Sequence, residues 1–314
     1  MTPAEPDPIT APITGEGDYL NLREVAALLR LGERKVYDLV REGRIPCVKV
    51  TGKWLFPRTK IETWLASSER AERTEPRPTP SLMAACPMIV AGSRDPLLEW
   101  CIAQSAAALA VAGGGSLTGL DRLAERSAAA AAVHVLDRET GDYNIPEVRR
   151  RLAQANIVVM EWARREQGLV VAPGNPLGLG GAADLAQPGI RTALRPPEAG
   201  AHVLLRHLLH QAGHTWDDLI AAGVFHSGLD VGLAVLDGRA DAGLAVRAVA
   251  RQLKLDFVPL AWERFDLVID RRAFFEPPFQ QLLNFARGAE ARTKAADLQG
   301  YDLSGHGTVH WNAP

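Results

Sequence analysis

Residues 19–65, YLNLREVAALLRLGERKVYDLVREGRIPCVKVTGKWLFPRTKIETWL, constrain this chain most, because helix, turn and strand signals follow one another there in a fixed order. Leu22, Val25, Ala26 and Leu29 recur at helical spacing, and Asn21 with Glu24 three residues on forms a capping-box pattern. Gly32 breaks that run. A second amphipathic stretch, Glu33 to Arg41, sets Val36, Leu39 and Val40 on one face and Arg34, Lys35, Tyr37 and Arg41 largely on others. Two helices joined by a tight glycine-containing turn make a helix-turn-helix, whose second helix enters the major groove of DNA. After Gly43 and Pro46, CVKVTGKWLF reads as a hairpin turning at Thr51-Gly52 and carrying Lys49, Lys53 and Trp54. Pro57 ends it, and Ile61, Trp64 and Leu65 give a closing helix.

The order of these signals resembles the winged helix-turn-helix of the excisionase and MerR-like family. LNLREVAALLRLGERKVYDLVREGRIP follows the family's opening and its glycine-x-isoleucine-proline link into the wing, departing at Lys35 and Leu55. The resemblance implies a double-stranded DNA operator as partner, contacted by Arg34, Lys35, Tyr37, Arg41, Lys49, Lys53, Trp54 and Arg58. Charge agrees: from Asp18 to Ala66 there are ten Lys/Arg against six Asp/Glu, a local excess of positive charge in a chain of net charge −2.

At 314 residues the chain has room for one sizeable core and a small module. The opening eighteen residues are acidic and proline-rich, unlike a signal or transit peptide, and read as a disordered tail. No apolar run reaches membrane-spanning length, so no membrane partner is expected. Cys47, Cys86 and Cys101 lack metal-ligand spacing, which fits a reducing cytoplasm.

Residues 67–84, beginning SSERAERTEPRPTPS, mix charge with proline and read as a semi-stiff linker between a 19–66 module and a domain over 85–314. Beyond it, apolar strands alternate with helices: MIVAGS (88–93), LAVAG (109–113), AVHVLD (132–137), NIVVMEW (156–162), GLVVAPGNP (168–176), TAL (192–194), AGLAV (242–246), DFVPLAW (256–262) and FDLVIDRR (265–272). The pattern predicts an α/β domain with a mainly parallel sheet in two lobes, one over about 85–168 and 268–314, the other over about 169–267.

GSLTGLDRL (115–123), HVLDRETGDYN (134–144), GLVVAPGNPLGL (168–179) and DGRADAGLAVRAVA (237–250), taken in order, resemble the type II periplasmic-binding-protein-like domain of the molybdate-binding type. The resemblance implies two hinged lobes that hold a ligand between them, and, fused behind a helix-turn-helix, a regulator that senses it.

In open α/β sheets ligands lie beyond the carboxyl ends of strands, where helix starts offer unpaired N–H groups. Four such places are Gly92 to Asp95, Gly113 to Thr118, Glu198 to Ala201 and His226 to Asp230. The candidate ligand-binding residues are therefore Ser93, Arg94, Ser116, Leu117, Thr118, Ala199, Gly200, Ala201, Ser227 and Gly228, with Arg247 after AGLAV as a further cation. Neutral hydroxyl and backbone donors suit a tetrahedral oxyanion, so molybdate or tungstate is expected. Each serine or glycine could equally serve only to cap a helix or permit a turn. Ala201 stands where relatives often carry a hydroxyl, and Arg247 could instead pair with Asp241 or Asp230. His134, Asp137, Tyr143 and Asn144 belong to a family phrase whose role the letters do not declare.

His202, His207, His210 and His214 suggest a metal face, but Gly213 interrupts it and no carboxylate completes a set; His306 and His310 have no stronger claim. No GxSxG or other nucleophile-base pattern supports an enzyme, and no cofactor is expected. The leading expectation is a homodimeric, ligand-responsive transcriptional regulator. The alternatives are the same architecture sensing an organic ligand or a molybdenum-cofactor species, or a non-regulatory protein that handles that cofactor.

Overall fold

Asn21 caps the first helix with the reciprocal geometry its spacing to Glu24 requires: its Oδ1 accepts the Glu24 N–H at 3.0 Å, and the Glu24 carboxylate accepts the Asn21 N–H at 2.8 Å. The computed structural model describes residues 19–41, 45–50, 53–64, 86–153 and 155–313. The chain separates into two compact units, Met1–Ala84 and Ala85–Pro314. The acidic tail (1–18), Gly43, the turn at Thr51-Gly52, Leu65 and the linker (67–84) lie outside the described residues.

In the first unit, β1 (Tyr19–Leu20) precedes α1 (Leu22–Leu29), α2 (Glu33–Arg41), β2 (Val48–Val50) and β3 (Lys53–Pro57), and helix α3 covers 58–64. Val25, Val36, Phe56 and Ile61, one from each of four elements, have no exposed surface and form the centre of its core. Arg30, at φ 52°, makes the left-handed turn that ends α1. Gly32 instead starts α2, its carbonyl accepting from Lys35 and Val36. The wing gains a third strand that the hydrophobic pattern was too short to announce: β1 pairs with β3, giving the order β1-β3-β2.

The second unit opens with β4 (Ile89–Gly92), α4 (Pro96–Gln104), β5 (Ala110–Gly113), α5 (Ser116–Ala124), β6 (Ala130–Val133) and α6 (Ile145–Leu152). After the long strand β7 (Ile157–Val171) come β8 (Arg191–Leu194), α7 (Gly200–Gln211), β9 (Ile220–Val224), α8 (Gly228–Leu236), β10 (Ala242–Val246) and α9 (Arg247–Leu253). A second long strand, β11 (Asp256–Asp270), leads to α10 (Arg271–Phe274), α11 (Pro277–Ala286), α12 (Ala289–Leu298), β12 (Tyr301–Asp302) and β13 (Val309–Asn312).

The expectation of a mainly parallel sheet needs correction. Parallel strands β5-β4-β6 form one lobe and parallel strands β10-β8-β9 the other, but both sets hang on an antiparallel pair, β7 and β11, each 15 residues long. The segments NIVVMEW and GLVVAPGNP are largely one strand, and so are DFVPLAW and FDLVIDRR. The intervening polar letters look like breaks; yet Arg165, Gln167 and Glu263 are at most 2 % exposed. Register shifts between Pro259 and Ala261 and between Phe265 and Asp266 bracket the place where the two strands pass from lobe to lobe, and such irregularities bend a ladder locally.

Candidate functional site

Between those two bulges Glu263 lies directly opposite Arg165 in the ladder, so their side chains share one face and meet. The Arg165 Nε–H donates to Glu263 Oε1 at 2.9 Å, and its Nη1 lies 3.0 Å from Asp95 Oδ2. Gln167 Nε2 donates to the same Glu263 oxygen at 2.9 Å, the other carboxylate oxygen lies 2.7 Å from His134 Nδ1, and the Tyr301 hydroxyl donates to Asp95 at 2.7 Å. Arg165 also stacks over the Phe265 ring, 3.8 Å from its centroid. Burial alone would push the Glu263 carboxyl up; the Arg165 charge, with hydrogen bonds from His134 and Gln167, outweighs it and holds it at about 2. For His134 burial dominates over the pull of Glu263 and lowers its pKa, so the ring is neutral and Nδ1 is the donor to the carboxylate.

This network floors a cavity of about 210 Å³ between the lobes. Arg94, Asp95 and His134 approach it from the first lobe, Arg165 and Gln167 from the crossing strands, and Arg195, Ser227 and Gly228 from the second lobe. Arg195 follows β8. One of its Nη groups donates to the His226 carbonyl at 2.9 Å, while its buried Nε–H has no hydrogen-bond partner among the described residues. Burial lowers its pKa, Asp230 draws it part of the way back and Arg165 lowers it again, leaving about 10. A guanidinium so short of counter-charge favours an anion.

The residues singled out from sequence fall into three groups. Arg94, Ala201, Ser227 and Gly228 line the cavity; Arg94 is also held by Glu99 at 2.6 Å, and the Ser227 hydroxyl caps α8 by accepting the Asp230 N–H at 3.0 Å. Ser93 and Ser116 are brought together but turned on each other, their hydroxyls 2.9 Å apart, and the Leu117 N–H donates to the Glu198 carbonyl of the other lobe at 3.1 Å. Thr118 flanks that contact and packs toward Gly114, while Ala199 and Gly200 are buried in it. Gly115, at φ +87°, permits it, since a Cβ there would stand 2.8 Å from the Glu198 oxygen. In this structure one donor at the start of α5, the Leu117 N–H, is thus taken up by lobe-to-lobe contact, and the Ser116 hydroxyl is engaged by Ser93 and the His134 N–H. Arg247 lies away from the cavity, paired with Glu166 and stacked 4.4 Å over Phe257; Asp241, its alternative partner from sequence, binds Arg191.

The HVLDRETGDYN phrase divides its labour. His134 reaches the cavity, whereas Asp137 closes a turn by accepting from Thr140, and Asn144 ties that turn to the sheet through Val135 and Asp266. His202 donates from Nδ1 to the Arg195 carbonyl at 3.0 Å and packs on Trp216. Among the described residues no group of three His, Cys, Asp or Glu is placed to hold a metal, and no helix is long and apolar enough to cross a membrane.

In the first unit Arg34, Lys35, Tyr37 and Arg41 are exposed along α2, with Lys49, Lys53 and Arg58 exposed on and just past the wing. Trp54 is half-buried, opposite Lys49 in the hairpin, and the Lys49 ammonium sits 5.3 Å from its ring.

Residue-by-residue reading missed Arg165, Gln167, Arg195 and Glu263. Arg195 was open to the same strand-end rule as the serines, since it directly follows Leu194. Arg165 and Gln167 sit at alternate positions of β7 and Glu263 lies opposite Arg165 in β11, so they could have been found only once the two strands were paired.

A family profile described as a PBP superfamily domain matches residues 102–287, and one described as a helix-turn-helix domain matches residues 19–68. The chain is 26% identical over 307 residues to the uncharacterized protein YvgK of Bacillus subtilis (strain 168), covering 94% of this chain and 98% of that one. It is 33% identical over 84 residues to an uncharacterized protein in the ferredoxin 2Fe-2S gene 5' region of Clostridium pasteurianum, covering 26% of this chain and 74% of the relative. A putative phosphate ABC transporter substrate-binding protein with bound phosphate, from Clostridium perfringens, superposes with a TM-score of 0.50 at 11% identity over 67% of this chain and 97% of its own. That likeness is one of fold.

Proposed function

The chain belongs to the PBP superfamily and carries a helix-turn-helix domain at its N-terminal end, and from that premise we propose that it is a cytoplasmic, non-catalytic transcriptional regulator whose two-lobed domain senses a small anion. The observation that carries this reading is Arg195, a half-buried cation whose Nε–H is buried and uncommitted at a cavity between lobes. An anion there gains a charge-assisted hydrogen bond and restores the counter-charge that burial has withheld. Because the cavity draws residues from both lobes and from the crossing strands, an occupant binds one lobe arrangement better than another. Such differential affinity is what shifts a conformational equilibrium. A single short recognition helix binds DNA weakly, so a homodimer on paired half-sites is the working form. Molybdate and tungstate, implied by the sequence resemblance, are the first anions to test.

Arg195→Gln is expected to weaken anion binding by about 1.5–3 kcal/mol, the range for a hydrogen bond to a charged group, measured by calorimetric titration of the full chain. If molybdate, tungstate, sulfate, phosphate and small carboxylates all leave both the melting temperature and operator binding unchanged, the sensor reading fails. For the DNA arm, Arg34→Ala or Lys35→Ala is expected to weaken operator binding by about 1–3 kcal/mol where the side chain reads a base, while Lys53→Ala weakens all sequences alike. Gel-shift titration at fixed salt separates these outcomes, and unchanged binding in all three variants would place the interface elsewhere.

A further inference from the structure

Beside the Arg195 donor, the cavity presents acceptors. Gln167 is 2 % exposed and lines the cavity; its Nε2 donates to Glu263, which fixes the amide orientation, because the reverse one would set Oε1 against a carboxylate oxygen. Its Oε1 is buried without a hydrogen-bond partner among the described residues. His134, neutral and with its Nδ1–H given to Glu263, keeps its lone pair on Nε2. A buried acceptor left unpaired is costly, so an occupant that brings a proton to it is favoured over one that does not. Molybdate, tungstate and sulfate carry no proton at neutral pH and would leave Gln167 Oε1 unsatisfied.

Size and lining point the same way. About 210 Å³ is several times the roughly 30 Å³ that one water occupies in the liquid, so a tetrahedral oxyanion leaves much of the space wet. The lining also includes Leu229, Leu244, Val246 and Val249, Val246 lying next to Gln167 in the ladder, and Leu229 is 42% exposed. Open apolar surface beside an unpaired charge is the lining of a site for an anion with an apolar body.

Resting on the anion-sensor reading above, the geometry points to a ligand class for this site: a small organic acid with a hydroxyl donor beside its acid group and an apolar substituent. The acid group pairs with Arg195, the hydroxyl donates to Gln167 Oε1, and the substituent lies on the Leu229 to Val249 wall.

The test is calorimetric titration of the full chain at pH 7 with molybdate, tungstate and sulfate, and with two matched pairs, lactate against propionate and 3-phenyllactate against 3-phenylpropionate. The expected result is that each hydroxy acid binds at least about tenfold more tightly than its deoxy partner, with phenyllactate the tightest of all. Gln167→Leu should abolish the difference within each pair. The paired comparison in the unsubstituted protein stands even if that variant folds poorly. Equal affinity within both pairs overturns the inference, and so does tighter binding of molybdate or sulfate than of either hydroxy acid; both results leave the anion sensor in place. Absence of binding by every probe removes the inference and the sensor reading together.

Discussion

Glu263→Ala is expected to lower the unfolding free energy by about 3–5 kcal/mol, the range for breaking a buried ion pair from one side. The substitution leaves Arg165, 1 % exposed, with only Asp95 as counter-charge, and frees His134 Nδ1 and Gln167 Nε2 from their shared acceptor. Urea denaturation measures it as a fall in midpoint at constant slope; a loss under about 1 kcal/mol would mean that the crossing tolerates an unpaired guanidinium. Replacing the whole set, Arg165→Met with Glu263→Leu and Asp95→Asn, should be less harmful than the single change, because no charge is then stranded. The same group sets a pH signature. Its folded pKa, about 2, lies below the ordinary carboxylate value of 4.5, so its stabilisation is fully present above about pH 4.5 and is lost as pH falls toward 2. Glu263→Gln should flatten that part of the acid limb.

Gly168→Ala carries the second large effect. Gly168 faces Pro259 in β11 on one side and Ala245 in β10 on the other. An added Cβ would stand 2.1 Å from the Val258 carbonyl oxygen and 2.6 Å from the Phe257 ring. The nearer obstacle is backbone, which cannot rotate aside, so the strands must separate at the bulge. The expected destabilisation is about 3 kcal/mol, the upper part of the range for overpacking, read as a fall in the thermal midpoint. Gly181→Ala is the control: nothing lies within 4 Å of its Cβ position and its φ is −167°, so it should stay within about 0.5 kcal/mol of the unsubstituted protein. A Gly168→Ala midpoint matching this control would mean that the crossing strands yield freely.

Local chemistry was legible in the letters. Asn21 and Glu24 announce a cap that forms as drawn, and most short apolar runs of the larger domain become strands close to their expected limits. What stayed hidden depends on distance along the chain. Strand β9, IAAGV, is built of small residues with weak strand preference and is held by pairing with β8. Arg165 and Glu263 look like solvent-facing interruptions until the two strands are laid side by side, 98 positions apart. The serines at helix starts were the visible donors, but the lobe-to-lobe contact at Glu198 uses that region, and the open space lies toward Arg195 instead. No local pattern distinguishes a helix start that is covered from one that is free.

The floor of the cavity is cut from the same strand crossing that joins the two lobes. Under the proposed sensor reading, a guest that draws on Gln167 or displaces His134 acts on that junction directly, with no relay of intermediate side chains. Selectivity and leverage would then be one property: residues that grip a guest are also those that tie the halves together.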